Sequence, residues 1–423
     1  MSIQHIRLAN GLTVLFVPRA GTDTTTAMAV VGLGSRVESA AVSGMAHFIE
    51  HMTFKGTVRR PTTSHISQEL DGVGADYNAY TSREWTGYYI KTDTSHLPLA
   101  LDVLSDMLFC SVDSAEHIEA EKGVIVEEIR MYQDNPLLYV EDVVEQLIFG
   151  PHPLGRDIAG SAASVRGITQ AKIKQFRQQY YQPRDMILVV AGKLPSTTRA
   201  LVRRTFGAKV PHCAKPGRPQ AFRSTQAKPR QRIVYRKTDQ VQAALAWPGV
   251  SRTNARVYAG TILGVILGGT MSSRLFISVR DREGLAYSIR ARHTPFADTG
   301  IFTIQGGFAA DHWQRAFQSI RREVDLLCAD GISGAELERA KEFLRGKIAI
   351  DLEDSAQIAD WYGKMQLLMG KITTPAEYLE KISAVTVADV NKIARTIFNH
   401  RRINCAVIGP VRASATVNPW QKR

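Results

Sequence analysis

The chain has 423 residues, 44% of them hydrophobic and 22% charged, with a formal net charge of +13. That length and balance describe a globular protein of two or three domains and exclude a disordered or low-complexity chain. Cys110, Cys213, Cys328 and Cys405 lie far apart with no C-x-x-C, which excludes a disulfide framework, and no apolar stretch approaches membrane-spanning length.

Residues 3–8 and 12–17 flank Asn10-Gly11 and predict a β-hairpin. No basic leader with an apolar run precedes them, so a cytoplasmic location is expected. The segment His47-Phe48-Ile49-Glu50-His51 follows. Its H-x-x-E-H spacing is that of an inverted zinc-peptidase site. On a helix, positions i and i+4 share a face, so both imidazoles reach one metal ion. Glu50, three residues after His47, projects near that face as a candidate proton acceptor. Residues 76–82, Asp76-Tyr77-Asn78-Ala79-Tyr80-Thr81-Ser82, have strand character.

A zinc site of this kind needs a third protein ligand. Residues 114–133 predict a helix. Ser114 or Asp113 caps it, acids crowd its first turns, and Ile118, Ile125, Ile129 and Tyr132 form much of an apolar face. Glu121 and Glu128 stand two turns apart on one face. One can bind metal while the other orients a ligand histidine.

The chain repeats itself. Residues 168–173 lead through an amphipathic helix to an apolar run at 186–192, and residues 385–390 lead in the same way to 403–409. The leading segments are offset by 217 residues, and so are the apolar runs. The expected fold class is therefore α+β: two homologous α/β sandwich domains, helices packed on a mostly antiparallel sheet. The expected boundaries are 1–208 for a metal-binding domain and 238–423 for a homologous domain without H-x-x-E-H. Residues 209–237 between them hold four prolines and nine lysines and arginines with no acid, the composition of a linker. Charge divides unevenly, −2 for residues 1–205 and +15 for residues 206–423. A basic half suits acidic partners or head-to-tail pairing of subunits. No nucleic-acid-binding motif accompanies it, so nucleic acid is not an expected partner. In the second half, Ser272-Ser273-Arg274-Leu275-Phe276 leads to Arg280 and on to Tyr287.

Three blocks together resemble one family. Residues 44–57, from Gly44-Met45-Ala46-His47 to Lys55-Gly56-Thr57, are similar to the active-site segment of the pitrilysin–insulysin–mitochondrial processing peptidase family. They are closest to its processing-peptidase branch and bacterial relatives. Asn78 to Ser82 and Glu121 to Glu128 continue the likeness. The resemblance implies a zinc endopeptidase for peptides or unfolded polypeptides, with one Zn²⁺ per chain. It assigns His47, His51 and Glu128 as ligands, Glu50 as general base and Glu121 as the residue supporting a ligand histidine. It makes Asn78 and Ala79 part of an edge strand that binds extended peptide. Arg280 and Tyr287 match an R-x6-Y element that contacts substrate opposite the metal. Only Gly268-Gly269-Thr270 precedes the Met271 to Leu275 stretch, where the non-catalytic mitochondrial subunit has a long glycine-rich loop. This favours a bacterial-type enzyme over a presequence processor.

Family members enclose substrate between two double-domain halves. That implies a homodimer, in which Arg280 and Tyr287 serve the partner's zinc, or a heterodimer with a related inactive chain. A non-catalytic core subunit and a peptide-binding protein are the alternative functions.

Overall fold

The computed structural model describes residues 3–208, 219–224 and 226–421. Part of the basic proline-rich segment, residues 209–218 and 225, lies outside them, and so does Cys213. The helices in the first part of the chain are α1 (Met45–Thr53), α2 (Thr63–Asp71), α3 (Leu97–Phe109), α4 (Ala115–Asp134), α5 (Pro136–Phe149), α6 (Ala162–Arg166), α7 (Gln170–Tyr180) and α8 (Thr198–Phe206). Then come α9 (Val257–Gly264), α10 (Trp313–Asp330), α11 (Gly334–Asp351), α12 (Ser355–Met369), α13 (Pro375–Ser383) and α14 (Val387–Ile397).

The first sheet contains β1 (Gln4–Arg7), β2 (Thr13–Pro18), β3 (Thr24–Val31), β4 (Asp76–Thr81), β5 (Thr86–Asp93) and β6 (Met186–Gly192), in the order β1-β2-β6-β3-β5-β4. Only the β2–β6 pair is parallel. The expected hairpin is β1–β2, with Gly11 at φ 91° in the turn. The second sheet contains β7 (Arg230–Tyr235), β8 (Gln240–Gly249), β9 (Ala286–Pro295), β10 (Gly300–Ala309) and β11 (Asn404–Gly409), in the order β7-β11-β8-β10-β9. Only β7–β11 is parallel. From β2 and from β7 onward the two orders are the same. The repeat is visible in the caps as well. Thr169 and Thr386 both accept the N3 backbone N–H with their hydroxyls, starting α7 and α14. The fold is thus the expected α+β pair of mostly antiparallel sheets with packed helices.

The compact units are not contiguous in sequence. One contains residues 1–129, 157–220 and 348–374, and the other contains 130–156, 221–347 and 375–423. The boundaries 1–208 and 238–423 thus differ from the units by an exchange of two segments. The cause is apolar burial. On α5, Val140, Val143, Val144, Ile148 and Phe149 are buried against Ala244, Ala246, Ala406 and Ile408 of the second sheet. On α12, Ile358, Ala359 and Tyr362 are buried against Met28, Val30, Ile187 and Val189 of the first. Each sheet is therefore covered on both faces, which explains why every residue of β6 and β11 is buried. The exchanged helix matches the lone apolar faces that the sheets would otherwise expose to water. The end of the basic segment also departs from a linker, because residues 230–235 form β7 at a sheet edge. Among the described residues no helix is long and apolar enough to cross a membrane.

Candidate metal centre

Helix α1 is built to present two histidines. Gly44 precedes it at φ 92°, where an added Cβ would lie 2.4 Å from the Ala159 carbonyl oxygen. The buried Glu38 carboxylate accepts Gly44 N–H (2.8 Å) and Ala46 N–H (2.7 Å), capping the N-terminus and complementing its dipole. Met45, Ala46, Phe48, Ile49 and Met52 enter the core. That leaves His47, Glu50 and His51 on the opposite face, their rings 4.6 Å apart between centroids for the two histidines. Arg177 of α7 fixes the far end. It donates to Thr53 of α1 and to both carboxylate oxygens of Asp113, just before α4.

Helix α4 supplies the acids. It begins at Ala115, as the capping pattern predicts, and buries Ile118, Ile125 and Ile129. Glu121 is almost wholly buried, its side chain 2% exposed, and its Oε1 accepts His51 Nδ1–H at 2.7 Å. That bond orients the ring and leaves His51 Nε2 3.5 Å from Glu128 Oε2. His47 Nε2 lies 3.8 Å from the same oxygen. Glu127, the neighbour in sequence, is exposed, while Glu128 is half-buried beside the histidines.

One ligand atom each from His47, His51 and Glu128 lie within 4.8 Å of one another. Two of the separations, 3.5 and 3.8 Å, are long for hydrogen bonds. They approach the spacing of about 3.4 Å for donors roughly 2.1 Å from a tetrahedral zinc ion. His47 Nδ1 is buried without a hydrogen-bond partner. Two imidazoles, one of them oriented by a carboxylate, and a facing carboxylate form the donor set that Zn²⁺ takes. The residues fit the ion.

The electrostatics agree. Burial, then the charge of His51, pushes His47 down to about 4 against the pull of Glu121, so it is neutral at pH 7. Burial also pulls His51 down, but the hydrogen bond and charge of Glu121, with Glu128 and Glu50, lift it above its ordinary value. Burial raises Glu128, and the charges of Asp157 and Glu121 add to this against His51. Three carboxylates beside two imidazoles is an arrangement that a dication relieves.

Burial raises the Glu50 carboxyl above the ordinary carboxylate value, opposed by a hydrogen bond from Thr81 and the charge of His51. The Thr81 hydroxyl donates to Glu50 Oε2 from the last residue of β4. That strand is the free edge of the first sheet and packs beside α1. On it Asn78 is exposed and Ala79 half-buried, and Ala79 N–H donates to Asn78 Oδ1 at 2.8 Å.

Arg280 and Tyr287 belong to the other unit. Arg280 sits in a π-helical stretch, residues 276–282, with its guanidinium 4.6 Å from the Phe276 ring centroid and 5.7 Å from that of Tyr287. Tyr287, in β9, is 78% exposed. Sequence reasoning singled out neither Thr81 nor Lys55, though both lie within its motif blocks, and it passed over Glu38 and Arg177. Lys55 stands four residues after His51 but beyond the end of α1 at Thr53, so no helical spacing in the sequence announces its contact.

The chain matches two family descriptions, "Insulinase (Peptidase family M16)" over residues 13–162 and "Peptidase M16 inactive domain" over residues 167–344. An uncharacterised zinc protease of Streptomyces coelicolor is 34% identical over 417 residues, covering 97% of this chain and 90% of that protein. Another from Bacillus subtilis is 35% identical over 368 residues, covering 87% and 89%. A crystal structure of a protease from Helicobacter pylori matches with a TM-score of 0.89 at 23% identity, covering 97% and 99% of the two chains. A chain of complex III from Candida albicans matches with a TM-score of 0.84 at 18% identity, covering 99% and 98%. At those two identities the likeness is one of fold.

Proposed function

The chain belongs to the insulinase (M16) peptidase family, and on that premise we propose that it is a zinc-dependent endopeptidase for peptides or unfolded polypeptides. The observation that carries the reading is the convergence of His47, His51 and Glu128 donor atoms within 4.8 Å, beside a glutamate that is not one of the three. His47, His51 and Glu128 would hold Zn²⁺, with Glu121 orienting His51. The ion, when bound, supplies a Lewis acid that polarises the peptide carbonyl and brings the pKa of water towards about 7.

Glu50 takes the proton of the attacking water and passes it to the leaving amine nitrogen. Burial raises its carboxyl, the direction that favours accepting a proton. Thr81 occupies Oε2 and leaves Oε1 for the proton. Substrate adds as an extended strand along β4, which uses backbone groups and reads little sequence. The Asn78 amide oxygen, now on Ala79 N–H, is displaced when that strand arrives. Arg280 holds a peptide carbonyl, and the exposed Tyr287 hydroxyl donates to the developing oxyanion.

The chain acts as a homodimer in this reading, with Arg280 and Tyr287 serving the partner's site. Mixing Glu50→Gln chains with Tyr287→Phe chains tests that arrangement. Recovered activity is expected, and none is recovered if the residues act within one chain. The test of the activity itself is cleavage of a library of unstructured peptides before and after chelation. Cutting lost on chelation and restored by zinc is the expected result. A zinc-loaded chain that cuts nothing contradicts the self-contained enzyme and favours a heterodimer with an inactive relative, or a scaffold.

A further inference from the structure

The chain turns sharply after α1, and the turn brings Lys55 back to the metal centre. Lys55 N–H donates to the Met52 carbonyl at 3.1 Å. Gly56 follows at φ 142°, where an added Cβ would meet the Pro61 carbonyl oxygen at 2.4 Å. This places Lys55 Nζ 2.5 Å from Glu121 Oε2. The other oxygen of that carboxylate, Oε1, holds His51 Nδ1 at 2.7 Å. The side chains of Lys55, Glu121 and His51 are 30%, 2% and 22% exposed, so the line runs from the surface to a buried hinge and back to a ligand.

A carboxylate gripped at one oxygen can swing about its terminal torsion, which is broad for glutamate. Gripped at both, it cannot. With Lys55 on Oε2, Glu121 has one orientation in which Oε1 meets the imidazole. The His51 ring is then held with Nε2 towards Glu128, 3.5 Å away. The ammonium also offsets one of the carboxylate charges gathered there, Glu50, Glu121 and Glu128, which lie at a depth where screening is weak.

We propose that Lys55 is a positioning residue for the metal centre, acting through Glu121 to fix the orientation and tautomer of His51. The inference rests on reading His47, His51 and Glu128 as a zinc site. Its competitor is an ion pair that only stabilises the fold around a buried acid.

The test is Zn²⁺ affinity of the intact chain, by competition with a chromophoric chelator, read beside thermal unfolding of the metal-free protein. Lys55→Met should weaken zinc binding about tenfold to a hundredfold, the range for loss of an outer partner of a ligand. Lys55→Arg, which keeps the charge and donors, should recover most of it. Glu121→Gln should weaken binding, and adding Lys55→Met to it should change the affinity no further. Lys55→Met that unfolds earlier yet binds zinc with wild-type affinity overturns the proposal in favour of a purely structural pair. Should Lys55→Met fail to fold, the comparison of Glu121→Gln with the double variant decides. Equal affinities support the proposal, and a further loss means Lys55 acts without Glu121. A wild-type chain that binds no zinc overturns the reading of the site and this inference with it.

Discussion

The two units repeat one sheet order, yet the helix that follows the third strand is different in each. After β3 comes α1, which turns His47, Glu50 and His51 away from the core. After β8 comes α9, Val-Tyr-Ala-Gly-Thr-Ile-Leu-Gly, with no side chain that binds a metal. Its backbone lies directly on β9, so closely that a Cβ on Gly260 would stand 2.9 Å from His293 Nδ1. His293 there is a core histidine. Burial pushes it down to about 4, and its Nε2 accepts Val250 N–H at 3.1 Å. The same architecture holds a donor cluster where the helix face is polar, and a close glycine contact where it is small and apolar. Chemistry is a property of the helix face, while the sheet order only brings that face beside an edge strand.

The sharpest break of this comparison is removal of one ligand. His47→Ala should leave the chain unable to retain zinc through dialysis, because the second unit offers no replacement set among its described residues. Metal analysis checks this, and residual stoichiometric zinc would reveal a second site. Next comes the helix exchange. Ile358→Ala lies late in the sequence but should destabilise the first unit, by about 2–5 kcal/mol for a buried isoleucine. Hydrogen exchange should accelerate in β3 and β6 and not in β8 and β11.

The second unit has its own half-buried pair. Arg274 holds Glu336 through two hydrogen bonds, 2.6 and 2.9 Å. Burial raises this carboxyl, but Arg274 and Ser333 overcome it and bring it from 4.5 to about 2. A folded pKa below the unfolded one stabilises above pH 4.5 and loses that contribution as the pH falls towards 2. Glu336→Gln should therefore cost about 1–3 kcal/mol at pH 7 and much less near pH 2. Denaturant titrations at both pH values read the difference. Smallest is Gly260→Ala, which forces α9 off His293 and should cost about 1–2 kcal/mol in chemical denaturation while zinc affinity stays unchanged.

Much of this was legible in the residues. H-x-x-E-H is a helical spacing, so α1 needed no tertiary information, whereas preferring Glu128 to Glu127 as a ligand rested on the resemblance and its seven-residue interval from Glu121. The repeat predicted two like domains, and the Thr169 and Thr386 caps carry it in the structure. The helix exchange was not legible. Val140, Val143 and Val144 announce a buried face, but no local pattern says which sheet covers it. Strand β7 was hidden because Arg230-Gln231-Arg232 reads as solvated linker, and only pairing with β11 makes it a strand. Lys55 was hidden for a related reason. A lysine at i+4 ordinarily reaches water, and the acid it meets is 66 positions away in sequence.

The most direct test of the central claim joins metal content to turnover in one variant. Glu50→Gln should hold one zinc per chain, as the wild type does, while peptide cleavage falls about 10²–10⁴-fold, the usual worth of a positioned proton carrier. Full cleavage by a zinc-loaded Glu50→Gln chain would contradict the account, because the proton would then travel by another residue.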